Sequence, residues 1–338
     1  MSLEVVRSGP LSLVQDAGRP GLAAVGVSAS GAFDRTALAR GAALVGNDPA
    51  LHAAIEVTLG GLSVRAAAPV TVALTGAQCP ATVDGRIVAW GRPFPLGAGE
   101  LLTLGLPRTG LRSYLSAAGG IDVPPVLGSR STDLLSGLGP PRLTPGTLLP
   151  IGDPPTVPEE LREERTNRDQ EPPTVPEELA SAATEGHEGP RILELLPGPR
   201  TDWLADAGAL ATTWTVSPDS NRVGIRLTGA VLERPPSRVR AELPSEPLVR
   251  GAVQLPPSGQ PVIFGPDHPT TGGYPVVAVL TEECSDRLAQ CRPGDLVTLV
   301  WAVQRAGHVQ PSTPLTAGPP RSLPWRFGAT GARAPGRN

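Results

Sequence analysis

A short segment at 267–275, DHPTTGGYP, combines an acid, an imidazole, two adjacent hydroxyls and two glycines. Glycine lets a backbone approach a ligand closely, and consecutive N–H groups can form a concave site for an anion. The segment that leads into it, GAVQLPPSGQPVIFGP, alternates so that Gln254 and Asp267 can face one pocket. We therefore predict catalytic roles for Asp267 and Gln254. The substrate contacts predicted in the same loop are Thr270, Thr271, Gly272, Gly273 and Tyr274.

His268 lies inside this segment, and an imidazole can act as a general base near neutral pH. The chain has four histidines, and none of them has the spacing of metal ligands. We therefore predict no metal site. A lone histidine before a proline is also typical of an exposed loop, so the residue types leave both interpretations of His268 open.

A second polar segment, SPDSNRVGIRLTG at 217–229, carries two arginines four residues apart. If VGIRL is a strand, Arg222 and Arg226 share one face, because side chains alternate along a strand. Two arginines on one face repel each other unless a carboxylate such as Asp267, or a bound anion, lies between them. We predict that Arg222 is catalytic and exposed in a pocket, and that Arg226, Ser217 and Ser220 bind substrate. A pair of surface salt bridges is the alternative.

Two further segments concentrate polar residues among glycines. The first, SLVQDAGRPG followed by SASGAFDR, contains Asp34 and Arg35, which we predict to contact substrate, although helix capping alone would explain an acid at Asp34. The other polar residues of this segment are Gln15, Asp16, Arg19, Ser28 and Ser30. The second segment, GSRSTD at 128–133, is interpreted as a hydrogen-bonded turn.

The elements that must position these residues are short. Pro (41) and Gly (40) make up almost a quarter of the 338 residues, and proline disrupts helix interiors. The apolar runs are bounded by Gly or Pro, which predicts a mostly β protein built as a β-barrel or sandwich with a few short helices. Asp34 is expected to cap a helix through Val45, Asp48-Pro49 to begin a second, and Ser285 or Asp286 to begin a third.

The domain organisation follows from a change in composition. Residues 153–189 are acidic and rich in proline, and the octapeptide PPTVPEEL occurs at 154–161 and again at 172–179. We interpret this segment as a duplicated linker or insertion. The predicted organisation is a β-rich domain at 1–152, the linker at 153–189, a barrel domain at 190–303 and a flexible tail at 304–338.

Composition excludes several functions. The sequence contains no lysine, so all 29 basic residues are arginine, which rules out a Walker A lysine, a Schiff base and a biotinyl-lysine in this chain. A net charge of −3 without a basic run argues against nucleic-acid binding, and no apolar run is long enough for a membrane span. Three cysteines without CxxC spacing indicate free thiols and a cytoplasmic protein.

A set of segments in constant order resembles one known family, the allophanate hydrolase subunit 2-like (KipA) proteins, which include the C subunit of bacterial 5-oxoprolinase. The matching stretches run from residue 13 to 295 and cover nearly the whole chain except the linker and the tail. They are VQDAGRPG, GVSASGAFDRTAL, LVGNDPALHAAIEVTLGG, ALTGA, GSRSTDLLSGLG, TVSPDSNRVGIRLTG, GAVQLPPSGQPVIF, DHPTTGGYPVVAVL and RLAQCRPGD.

The resemblance implies a cyclophilin-like barrel and a role in a multi-component enzyme. That enzyme would use ATP to open 5-oxo-L-proline to L-glutamate, together with a KipI-like B subunit and a LamB/YcsF-like A subunit. Two alternatives stay open: a carboxyltransferase subunit of a biotin-dependent urea or amide carboxylase, with biotin on a separate carrier, and a KipA-like regulator that binds a KipI-like kinase inhibitor. The residues alone do not separate these functions.

Overall fold

The computed structural model describes residues 1–154 and 189–302. Within these ranges the chain is mostly β, as predicted. The predicted linker and tail lie almost entirely outside the described residues. The division into domains at 152 and 190 therefore stays a prediction, although every strand before residue 151 and every strand after residue 190 belongs to a different sheet system.

The N-terminal half contains two antiparallel sheets that enclose one core. Core residues come from both sheets, for example Leu3 and Val64 from the first and Ile55 and Leu115 from the second. The first sheet has the order β11-β1-β4-β9-β6-β7 and consists of β1 Ser2–Ser8, β4 Leu62–Ala66, β6 Ala81–Val83, β7 Arg86–Ile87, β9 Leu101–Leu104 and β11 Leu148–Pro150. The second has the order β2-β3-β10-β5-β8 and consists of β2 Leu11–Gln15, β3 Ala54–Thr58, β5 Val70–Gly76, β8 Pro93–Leu96 and β10 Arg112–Ala117.

One α-helix packs on the second sheet. It is α1, Arg35–Val45, and it is capped by Asp34, whose carboxylate accepts a hydrogen bond from Ala37 N at 2.8 Å. The cap and the end of this helix are as predicted. The predicted helix after Asp48 is wrong: Asp48 accepts from Ala50 N and starts a single turn. Only a few residues separate it from β3, too few for a helix to continue.

The C-terminal half is a closed seven-stranded barrel in the order β12-β19-β16-β17-β14-β13-β20. Its strands are β12 Arg191–Pro197, β13 Thr213–Val216, β14 Gly224–Thr228, β16 Ala252–Gln254, β17 Val262–Phe264, β19 Val276–Leu280 and β20 Leu296–Trp301. A separate two-stranded ribbon, β15 Glu246–Pro247 with β18 Thr271–Gly272, carries part of the 267–275 loop.

The second α-helix, α2, spans Glu282–Leu288 and packs on the barrel. It begins earlier than predicted, because the hydroxyl of Thr281 rather than Ser285 or Asp286 caps it. Short 3-10 helices lie at Ala23–Val25, Thr201–Trp203, Ala207–Leu210 and Pro236–Arg238. No helix in the described part of the chain combines the length and the apolar character that crossing a membrane requires.

Phe33 joins the two halves by inserting into the core of the barrel. The guanidinium carbons of Arg112 and Arg250 lie 4.2 and 5.9 Å from the centre of its ring. A side chain at Gly265 would meet it, since a Cβ there would lie 2.9 Å from Phe33 Cζ. The sandwich and the barrel are therefore packed directly against each other at the place where the polar segments meet.

Candidate functional site

A buried ion cluster occupies the junction between the two halves. Arg222, at 1% exposure, donates to both carboxylate oxygens of Asp267 at 2.8 and 2.9 Å, and to Glu56 Oε1 at 2.5 Å. Its Nη2 also donates to the carbonyl oxygen of Gly31 at 2.6 Å. Arg222 and Asp267 come from the barrel half, whereas Glu56 and Gly31 come from the sandwich half, so one guanidinium ties the two halves together.

Asp267 is fully buried and receives two further hydrogen bonds from the sandwich half. Ser30 Oγ donates to Asp267 Oδ1 at 2.7 Å, and the backbone N–H of Leu134 donates to Oδ2 at 3.1 Å. Ser30 has a φ of 51°, a left-handed conformation that is unfavourable for serine. This backbone geometry aims its hydroxyl at Asp267, and the start of the 267–275 loop is thereby fixed from two sides.

The charges of the cluster stabilise each other. Burial alone would raise the pKa of Glu56, but Arg222 and Arg112 outweigh it and hold that pKa below its usual range. Burial would lower the pKa of Arg222, and the two carboxylates of Glu56 and Asp267 raise it instead. Tyr114 and the N–H of Phe33 donate to Glu56 Oε2 at 2.7 and 2.9 Å. The cluster is thus an ionised, hydrogen-bonded unit.

The structure corrects the expected setting of the two arginines. Arg222 precedes β14 and is buried, so the prediction that it is exposed in a pocket is wrong, and so is the surface alternative. Arg226 lies within β14 and is exposed. Asp267, one candidate for a negative group between the two arginines, is bound to Arg222, whereas the exposed Arg226 does not share that contact. With its nitrogens engaged by protein groups, Arg222 is not the open half of an anion-binding pair.

The two serines before Arg222 stabilise a turn. Ser217 Oγ accepts from Asp219 N at 3.2 Å, and Ser220 Oγ accepts from Arg226 N at 3.0 Å. Ser217 is buried. These contacts account for both residues without a ligand, and their assignment to substrate binding stays a prediction.

Asp34 and Arg35 lie in the same interface between sandwich and barrel. Asp34 Oδ2 accepts from Gln290 Nε2 at 2.7 Å, and Arg35 contacts Asp286 at 3.1 Å and Glu282 at 2.8 Å. Burial raises the pKa of Asp34 to about 6, against hydrogen bonds from Gln290 and Ala37 N–H that lower it. Both residues connect α1 to α2 and its flank, and their predicted substrate contacts stay untested.

The rest of the 267–275 loop faces outward at the ribbon. Gln254 is buried and donates to the carbonyl of Tyr274 at 3.0 Å, which holds the end of the loop. Tyr274 itself is 46% exposed. Among the described residues, the N–H groups of Gly273 and Tyr274 have no acceptor. Thr270, Thr271, Gly272 and these two N–H groups therefore form the accessible polar edge of the site, the place where an anion cradle was predicted.

His268 is buried at 7% exposure, contrary to the interpretation of a lone histidine as an exposed loop residue. Its Nδ1 lies 2.8 Å from the carbonyl of Pro269. Its ring is tilted by 56° against that of Phe264. Burial lowers the pKa of His268 below its ordinary value.

A hydrogen-bonded network lies beside Asp267 and joins the segments 16–19, 28–31 and 128–135. Asp16 accepts from the hydroxyls of Ser129 and Ser131 at 2.6 and 2.5 Å. Asp133 accepts from Ser28 at 2.8 Å. The interpretation of 128–133 as a hydrogen-bonded turn understates this role, because its partners are distant in the sequence.

Sequence reasoning missed Glu56, the acid that completes the cluster. Its signal is a lone carboxylate within the strand AIEVT, four of whose five residues are buried. A buried charge in such a strand requires a partner. Within 1–154 and 189–302 no group of three or more His, Cys, Asp or Glu side chains could hold a metal ion.

Comparison with known proteins places the chain in a family. Residues 25–301 match the family described as carboxyltransferase domain, subdomain A and B. Since the match covers most of the chain, this protein belongs to the carboxyltransferase domain family.

Within that family, the chain is similar to two curated C subunits of 5-oxoprolinase. It is 40% identical to the C subunit from Escherichia coli over 88% of this chain and 90% of the relative. It is 31% identical to the Haemophilus influenzae protein of the same name over 84% of this chain and 86% of the relative.

A solved structure supports the fold. The crystal structure of the K. lactis urea amidolyase superposes with a TM-score of 0.79 at 27% identity and covers 89% of this chain. The match takes up 19% of the urea amidolyase chain, so this protein corresponds to about a fifth of that larger enzyme.

Proposed function

We propose that this chain is the C subunit of an ATP-dependent 5-oxoprolinase, which opens 5-oxo-L-proline to L-glutamate. The observation that carries the proposal is the 40% identity to the Escherichia coli protein across nearly the full length of both chains. The further subunits are a KipI-like B protein and a LamB/YcsF-like A protein, and the chain is inactive without them.

The chemistry of the reaction fits the accessible edge of the site. A lactam carbonyl is a weak electrophile, because its nitrogen donates electron density, and phosphorylation of the carbonyl oxygen activates the carbon for water. Such a site must hold the carboxylate of 5-oxoproline. We propose that Thr270, Thr271 and the N–H groups of Gly273 and Tyr274 do so.

The buried cluster has a positioning role in this proposal. Every nitrogen of Arg222 and both oxygens of Asp267 are engaged by protein groups. Their predicted catalytic roles, and that of Gln254, therefore become indirect: the three residues fix both ends of the 267–275 loop.

ATP is a co-substrate of the proposed reaction, and the described residues do not fit its triphosphate. The start of α1 is capped by the acid Asp34, and the first turn of α2 carries Glu282 and Glu283, which repel phosphate. The chain also lacks lysine. We infer that ATP is bound by a partner protein of the complex. The three buried free thiols, Cys79, Cys284 and Cys291, support a cytoplasmic location.

A carboxyltransferase function is the second candidate, favoured by the similarity to urea amidolyase. In that case biotin is attached to a separate carrier, because this chain has no lysine.

A comparison of two reactions decides between the candidates. The purified chain is mixed with its A and B partners, 5-oxoproline and ATP. In a parallel mixture it is combined with a biotin carboxylase, a biotinylated carrier, bicarbonate, ATP and urea. Glutamate release in the first mixture, with no carboxylated urea in the second, supports the 5-oxoprolinase. The reverse result establishes the carboxyltransferase, and binding of a KipI-like protein without either product establishes the regulator.

A further inference from the structure

Several ionisable side chains lie beside the accessible edge of the site. Nearly all of their atoms that could take up a proton already accept hydrogen bonds from protein groups. Asp267 has a donor on each oxygen. Asp16 accepts from Ser129 and Ser131 on Oδ1 and from the N–H of Arg130 on Oδ2. Each oxygen of these two carboxylates thus already accepts a hydrogen bond from a protein group.

Asp133 and Glu56 are occupied in the same manner. Asp133 accepts from Ser28 on Oδ2 and from two backbone N–H groups on Oδ1. Glu56 is held by Arg222 on one oxygen and by Tyr114 and the N–H of Phe33 on the other.

His268 differs from these acids in having one nitrogen left over. A carbonyl can only accept, so Nδ1 must donate to Pro269 O and carries the proton in the neutral ring. The lone pair of the neutral imidazole is then on Nε2. Among the described residues Nε2 has no hydrogen-bond partner. Unlike the fully enclosed unpaired polar atoms of the interior, it keeps some contact with solvent. The fixed tautomer thus leaves a basic nitrogen with access to the outside of the loop.

The charges that face His268 come from three directions. Asp267 precedes it in the chain, Asp133 approaches from the 128–135 segment, and Arg250 approaches from the segment before β16. Burial of the ring outweighs the hydrogen bond to Pro269 and the two acids, so the pKa of His268 lies below its ordinary value.

We propose that His268 is a catalytic residue that carries a proton between water and the nitrogen of a small lactam or amide substrate. This inference rests on the proposed 5-oxoprolinase function. After the carbonyl oxygen has been phosphorylated by ATP on the assembled enzyme, water adds to the carbonyl carbon. Nε2 takes the proton from the added oxygen and delivers it to the ring nitrogen as the C–N bond breaks. The products of this step are a free amine and an acyl phosphate, which a second water converts to carboxylate and phosphate.

The proton delivery decides the direction in which the intermediate collapses. If the nitrogen is not protonated, phosphate is the better leaving group and the lactam re-forms, so ATP is consumed without ring opening. A residue that protonates nitrogen therefore couples ATP use to glutamate formation. Loss of a positioned acid–base group typically lowers a rate by about 10²–10⁴-fold.

The test uses His268→Asn and His268→Gln in the complex with both partner proteins, with His52→Asn as the matched control at the other described histidine. We expect glutamate release to fall about 100-fold or more, while 5-oxoproline-dependent ADP release falls much less, so that ADP formed per glutamate rises. The acid limb of the kcat/KM profile, which reports protonation of His268 below the ordinary histidine pKa, should also disappear. An equal loss of ADP and glutamate, or wild-type rates, overturns the proposal.

A second measurement remains decisive if the variants do not fold or the wild-type complex is inactive. Nitrogen NMR on the isolated wild-type chain reports the tautomer of His268 directly. We expect a proton on Nδ1 and a bare Nε2 at neutral pH. A proton on Nε2 refutes the role of His268, whereas an inactive wild-type complex refutes the proposed function and leaves the tautomer result to stand alone.

Discussion

Loss of the Arg222 side chain should lower the free energy of unfolding through one defined set of buried ion pairs. Arg222 neutralises Glu56 and Asp267, both fully buried, and its removal leaves Asp267 without its buried cation and Glu56 with Arg112 alone. Breaking a buried pair in this way typically costs about 3–5 kcal/mol. We therefore expect Arg222→Ala to lower the free energy of unfolding by that amount in urea titrations. Arg222→Lys should recover little, because an ammonium lacks the planar fork that reaches both acids.

Arg226→Ala is the matched control for this prediction. Arg226 is exposed on β14, and a surface substitution typically changes stability by no more than about 0.5 kcal/mol. Equal stability of Arg222→Ala and Arg226→Ala would show that the buried cluster does not hold the two halves together.

Asp34 should make stability depend on pH with a defined sign. Its folded pKa of about 6 lies above the usual value of 3.8, so between these values the folded state binds more protons than the unfolded state. The contribution of Asp34 to stability is therefore largest at low pH and falls as pH rises towards 6. Urea unfolding from pH 4 to 7 should show that Asp34→Asn removes this part of the slope. An unchanged slope would contradict the raised pKa.

At the scale of elements, the β15–β18 ribbon is expected to open independently of the barrel. Its two strands are joined to each other by two register pairs. Glu246 of β15 contacts Arg200, whose Nε and Nη2 donate to its carboxylate. Glu246→Gln weakens that contact at the surface, where ion pairs contribute little to global stability. We expect faster amide exchange in 268–276 by mass spectrometry with an unchanged melting temperature.

Asp202→Asn provides the comparison for the ribbon, since it breaks another exposed pair, with Arg238, in a different part of the barrel half. It should leave exchange in 268–276 as in the wild type. Exchange that is equally fast in both variants, or a lower melting temperature for Glu246→Gln, would mean that the ribbon opens only with the barrel.

The elements themselves could be predicted because their signals are local. Gly and Pro bound the strands, and Asp34 and Gly46 bound α1, as the structure confirms. The start of α2 was predicted too late in the chain, because Ser285 and Asp286 are competing cap residues a few positions further on. Thr281, the residue that caps the helix, follows directly on a strand and gave no separate signal.

The site was less predictable, because its contacts are long-range. Arg222 and Glu56 are 166 residues apart, and Ser30 and Asp267 are 237 apart. Nothing in the SPDSNR segment indicates that the side chain of its arginine points into the interface between the two halves. The same polar pattern fits an open pocket and a buried ion cluster. The acid Asp267 beside Arg222 was predictable because a paired arginine requires a negative neighbour.

At the scale of the whole molecule, the sandwich and the barrel form one support for a loop that is fixed at both ends. Phe33 fills the barrel core, the Arg222 cluster fixes Asp267, and Gln254 holds Tyr274. Between these anchors the loop presents His268, two threonines and free N–H groups. This arrangement suits a protein that contributes one wall of an active site and depends on partners for the other.

The most direct test of this account is an omission experiment on glutamate release. The A and B partners, 5-oxoproline and ATP are incubated with the chain, without the chain, and the chain is incubated without the partners. We predict glutamate in the complete mixture alone, together with ADP in equal amount. Glutamate formed at the same rate without this chain, or 5-oxoproline-dependent ATP hydrolysis by the chain on its own, would contradict its assignment as a dependent component of a 5-oxoprolinase.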